Sequence, residues 1–98
     1  MRRTELLDKI RSLQPELNAE GVAHISLFGS RARGDEKSGS DVDLLVDVDP
    51  ARRFSLLNLV GVEQIVQGAT GITANAFMQR SLDPGFRTSI AKDVVEVF

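Results

Sequence analysis

Ninety-eight residues, 42% of them hydrophobic, suffice for one small core, so residues 1–98 read as a single domain. Zero cysteines exclude a disulfide scaffold and thiolate metal sites, and no apolar run reaches the 18 residues that would suggest a membrane-spanning helix. Twelve Lys and Arg against fourteen Asp and Glu leave a net charge of −2, with five Phe as the only aromatics, which argues against a duplex-wrapping or single-strand-stacking protein. The N-terminus turns charged at once, at Arg2, Arg3 and Glu5, so no secretory signal is read and a cytoplasmic setting is expected.

Thr4 is the expected cap of a first helix that carries Leu6, Leu7, Ile10 and Leu13 on one face. Pro15 kinks or restarts that helix, Leu17 continues the stripe and Gly21 stops it. Residues 22–28 are short, mostly apolar and partly β-branched, the pattern of a buried strand. Gly29-Ser30 ends it, and residues 30–33 can make one helical turn before a polar loop over 34–40. Residues 41–49 alternate with period two. Val42, Leu44, Val46 and Val48 point to one face, while Asp41, Asp43, Leu45, Asp47 and Asp49 point to the other, and Pro50 closes the run.

A helix is expected over 55–67, stopped by Gly68, with Leu56, Leu57, Leu59 and Val60 counted as core and Arg52-Arg53 after Pro50 as a solvated helix start. Residues 72–77 form a weaker third strand, and Asp83-Pro84 is a cap-plus-first-position signature for a last helix to about residue 91. Residues 94–98 add a terminal edge strand. This order predicts an α/β architecture, a small sheet covered by helices.

Four aspartates on one strand need an explanation. A solvated sheet face is the ordinary one, yet Asp is among the poorest strand formers. Asp41 and Asp43 share a face roughly 7 Å apart, close enough to converge on a cation and to repel each other without one. Hard oxygen ligands of this kind suit Mg²⁺ held together with a substrate's phosphates. Leu44 and Leu45 stand where a calcium loop needs oxygens and a glycine, which excludes an EF-hand. The second feature is Gly29-Ser30: a glycine after a buried strand lets backbone approach a ligand, and a serine opening a helical turn offers a hydroxyl and free N–H groups to phosphate. Neither GxGxxG nor GxxxxGK[ST] is present. Gly-Ser, ten residues, then Asp-x-Asp is expected by chance in roughly one chain of this length in a thousand.

These residues resemble a known family. Residues 27–34 (LFGSRARG), the spacer and residues 41–46 (DVDLLV) closely resemble the minimal nucleotidyltransferase (MNT) family of the DNA polymerase β superfamily. The resemblance implies a polymerase β-like fold with a mixed sheet of three to four strands. It further implies Mg²⁺, ATP or another nucleoside triphosphate as substrate, and transfer of a nucleoside monophosphate to an acceptor hydroxyl. Small members are commonly encoded beside a HEPN-domain partner, which the MNT antitoxin can AMPylate. By the same resemblance Asp41 and Asp43 would hold the metals and Gly29 and Ser30 the β/γ end of the triphosphate, while Arg33 and Arg31 could assist the phosphates or equally serve as surface ion pairs.

The departure lies on the third strand, where the family carries another carboxylate. The matching stretch is Thr73-Ala74-Asn75-Ala76-Phe77, with Asn75 at the carboxylate position and no acid between Val66 and Leu82. Asn can ligate through its carbonyl but cannot take a proton. Asp47 and Asp49 do not substitute, lying roughly 13 Å or more from Asp43 along the strand. The alternative is therefore a catalytically degenerate MNT domain that binds nucleotide or neutralises its partner by occlusion. A drug-modifying nucleotidyltransferase is a third reading, weakened by the absence of an acceptor domain.

Overall fold

A computed structural model describes residues 1–98. Helix α1 (Arg3–Ser12) buries Leu6 and Ile10, and α2 (Gln14–Glu20) buries Leu17 before Gly21 ends it in the left-handed conformation. The first helix starts at Arg3, one residue ahead of the expected cap: Glu5 takes the capping role by accepting from the Arg2 backbone N–H at 3.4 Å. Strand β1 (Val22–Phe28), the single turn α3 (Ser30–Arg33) and β2 (Val42–Val48) follow. Then come α4 (Leu56–Thr70), β3 (Ala74–Met78), a 3₁₀ turn, α5 (Pro84–Ile90), a second 3₁₀ turn and β4 (Val95–Glu96).

The four strands form one mixed sheet in the order β3-β2-β1-β4. β1 is antiparallel to both β2 and β4, and β2 runs parallel to β3, with α4 as the crossover. Seventeen buried residues make the main core, between one sheet face and α1, α2 and α4; Val42, Leu44, Val46 and Val48 all belong to it. The other face carries a smaller cluster of Phe28, Leu45 and Ile90 under α5, so Leu45 is buried there among the aspartates.

Three expectations change. The helix over 55–67 runs three residues further, because Gly68 stays helical and Gly71 (φ +72°) makes the stop, with Thr70 Oγ1 donating back to the Val66 carbonyl at 2.8 Å. Leu56 and Leu57 are 73% and 82% exposed, and Val60 is exposed too; of the four residues expected in the core only Leu59 packs on it. Arg52 is not part of that helix but donates to the Asn18 and Ala19 carbonyls at 2.7 and 2.8 Å, closing the C-terminus of α2.

Candidate active site

Alternation along β2 sends Asp43 to the face opposite the main core, and the parallel register sets Asn75 directly beside it. Asn75 Nδ2 donates to Asp41 Oδ2 at 2.9 Å and to Asp43 Oδ1 at 3.3 Å, so the two carboxylates converge on one amide nitrogen. Both of its hydrogens are used. Asp41 is exposed and Asp43 half-buried. Burial, above all, pushes the Asp43 carboxyl above the usual aspartate range; the Asn75 hydrogen bond opposes this, the Asp41 charge adds to it and the Arg33 charge opposes it.

On the neighbouring strand Phe28 pairs with Asp43, which brings the next residue, Gly29, against the same carboxylate. Gly29 has φ +77° and ψ −160°, and a Cβ there would lie 2.6 Å from Asp43 Oδ2. The chain then turns into α3, where the Ala32 and Arg33 N–H groups both donate to the Gly29 carbonyl at 3.1 Å. Gly29, Ser30, Asp41, Asp43 and Asn75 are thus gathered at one end of the strands.

The two arginines separate. Arg31 is buried and its Nε donates to the Ser40 carbonyl at 3.0 Å, tying down the 34–40 loop, and it makes no ion pair. Arg33 is exposed and paired with Asp35 (3.0 Å) and Asp93 (3.2 Å); these two bonds, Asp35 first, raise its pKa. Its charge is nevertheless felt at Asp43, so it stands beside the site. Asp47 is exposed and Asp49 Oδ1 accepts from the Ala51 N–H at 2.9 Å in the following turn, so both stand apart from the cluster. His24 is exposed on β1.

The donor set fits a hard divalent cation. Asp41 and Asp43 supply two carboxylates, and Asn75 could supply an amide oxygen after rotating its side chain. No third His, Cys, Asp or Glu joins the pair. Sequence reasoning missed the apolar wall behind this set: Phe28, Phe77 and Phe86 pack with ring centroids 5.7–6.2 Å apart. Its only sequence signal is that positions 28 and 77 share the outward parity of Asp43 and Asn75 in the sheet. A cleft of about 290 Å³ on the same face, beside Leu45, Arg87 and Ile90, includes none of the acidic pair.

A glycine-serine turn brought against a carboxylate pair on a mixed sheet defines a nucleotidyltransferase domain. The family described as "Nucleotidyltransferase domain" matches residues 4–96, and the chain belongs to it. It is similar to the protein adenylyltransferase MntA of Thermococcus cleftensis, 36% identical over 77 residues, which cover 79% of this chain and 76% of that one. A solved structure described as a minimal nucleotidyltransferase superposes with a TM-score of 0.80 at 25% identity, covering 97% of this chain and 95% of the other. The same fold occurs in the complex of tri-AMPylated HEPN toxin with MNT antitoxin from Shewanella oneidensis (TM-score 0.70, 17% identity, 98% and 71% covered).

Proposed function

We propose that residues 1–98 act as one Mg²⁺-dependent nucleotidyltransferase domain that moves AMP from ATP to a hydroxyl on a HEPN-domain toxin, serving as its antitoxin in the cytoplasm. The observation that carries this reading is the close approach of Gly29 to Asp43, where a Cβ would lie 2.6 Å from Oδ2, which supports reading the Gly-Ser turn and the carboxylate pair as one site. The relatives support the chemistry, since one is named a protein adenylyltransferase and a solved toxin–antitoxin structure of the same fold (TM-score 0.71) was determined with AMP-PNP. No helix is long and apolar enough to cross a membrane.

In this reading Asp41 and Asp43 hold the metal, which when bound neutralises charge developing on the triphosphate. Gly29, Ser30 and the start of α3 seat the β/γ end, and Arg33 adds positive charge beside it. The acceptor oxygen bonds to the α-phosphorus as the bond to pyrophosphate breaks. Asn75 cannot accept the acceptor's proton, which leaves to water or to a base on the partner. The test is incubation of the purified chain with its partner, ATP and Mg²⁺, read by mass spectrometry. Addition of one or more adenylates to the partner is expected, and Asp41→Ala with Asp43→Ala should abolish it. Unchanged modification by the double variant overturns the proposal.

Asn75 favours a second reading, neutralisation by occlusion. It expects the double variant to silence the toxin still, without adenylate on it. Asn75→Asp places a carboxylate beside Asp43 and should raise the transfer rate about a hundredfold or more, the range general-base help supplies. An unchanged rate would remove the third position from the account.

A further inference from the structure

Three of the five phenylalanines meet on the face that carries the acidic pair. Phe28 is the cross-strand neighbour of Asp43, and Phe77 lies two residues beyond Asn75 on the same face of β3. Phe86 reaches down from α5 and completes the group at 6.0 Å from Phe28 and 6.2 Å from Phe77. Phe28 is a buried floor, 4% exposed, whereas Phe77 and Phe86 remain 37% and 38% exposed. The main core lies on the other sheet face, so it gives no reason to hold these two rings half in water. Large apolar surface left open beside a polar site marks a place where something binds. Strand geometry sets Phe77 roughly 7 Å from Asn75. A ribose bridges that kind of spacing between an α-phosphate and its base.

We infer that Phe77 and Phe86 form the stacking platform for the nucleobase of the bound nucleotide. The inference rests on the nucleotidyl-transfer reading above. The residues between the wall and the carboxylates are uncharged: Phe28, Leu45 and Asn75. A neutral planar ring suits such a surface, and stacking on aromatic side chains tolerates any base because every base presents a π-face. Phosphates at the carboxylate edge and a base on the phenyl wall would give one ligand both halves of the site.

The experiment is calorimetric titration of the whole chain with ATP and, separately, inorganic tripolyphosphate, each with Mg²⁺. Wild type, Phe77→Ala, Phe86→Ala, Phe77→Leu and Phe86→Leu are compared, the leucine variants keeping apolar volume so that the fold is preserved. ATP is expected to bind more tightly than tripolyphosphate to wild type. Each substitution should weaken ATP about tenfold, in the range of stacking on an aromatic side chain, and leave tripolyphosphate unchanged. Equal affinity of the two ligands for wild type, or undiminished ATP binding by the leucine variants, overturns the platform and leaves the nucleotidyl-transfer reading standing. Retained ATP binding with lost partner binding also overturns it, assigning the rings to the protein interface. Equal weakening of both ligands by the leucine variants overturns it as well. A wild type that binds neither ligand overturns platform and reading together.

Discussion

At Gly29 the backbone lies at φ +77° and ψ −160°, a region that residues with a Cβ almost never visit, and a Cβ there would lie 2.6 Å from Asp43 Oδ2. Gly29→Ala therefore meets two penalties, strain and collision with a carboxylate held by Asn75. The expected loss is on the order of 1–3 kcal/mol in urea unfolding, with Mg²⁺–ATP affinity falling alongside. Asp43 makes a prediction of its own. Its folded-state pKa is raised, chiefly by burial, so the folded protein holds a proton that the unfolded chain releases. Stability contributed by this group is thus present below the unfolded pKa and falls as pH rises through the raised folded one. In metal-free buffer Asp43→Asn should melt a few degrees above wild type at pH 7, the gap closing as pH falls through that window; a scan of Tm against pH checks it. Asn75 Nδ2 can still donate to the amide oxygen at position 43, so the substitution keeps the cluster joined.

Among the elements, β3 shows how an edge strand is closed. Its outer N–H groups face α4, where Glu63 Oε2 accepts from Ala76 N at 2.8 Å and Gln67 Oε1 from Ala74 N at 3.4 Å. The pair works because i,i+4 on a helix and i,i+2 on a strand have nearly the same spacing, roughly 6–7 Å. Glu63→Ala should cost about 1–3 kcal/mol in denaturant unfolding, as a buried N–H bonded to a charged group loses its acceptor; Glu63→Gln should recover most of it. No periodicity in the sequence announces this contact, since Glu63 reads as an ordinary exposed helix residue until β3 is laid beside it. Element identities were far more legible. Residues 22–28 and 30–33 were read with the bounds observed, because apolar content, Gly29 and Gly34 all act locally. The misplaced stop at Gly68 has a local cause too: an exposed helical glycine looks like a terminator unless the Thr70 and Gly71 geometry is known.

For the molecule as a whole, the division between local and long-range information follows the range of the forces. Alternation in β2 and the Gly-Ser spacing already separated a core face from the face of Asp41 and Asp43 and singled out Gly29 and Ser30, because side-chain parity and turn chemistry depend on near neighbours, whereas Asn75 stood out only through the family resemblance. Charges carried no such certainty: Arg31 and Arg33 look alike in sequence, yet one is buried against the 34–40 loop and the other paired with Asp93, sixty residues away. The same holds for the phenyl wall, which exists because α5 crosses the outer face and carries Phe86 onto rings from β1 and β3. Leu56 and Leu57 were misjudged for a related reason, since hydrophobicity says that a side chain gains by burial but not whether a neighbour is there to bury it. Parity, caps and motif spacing could be read along the chain, whereas burial, ion pairing and the grouping of distant side chains depended on strand order and helix placement, which sequence-local forces do not specify.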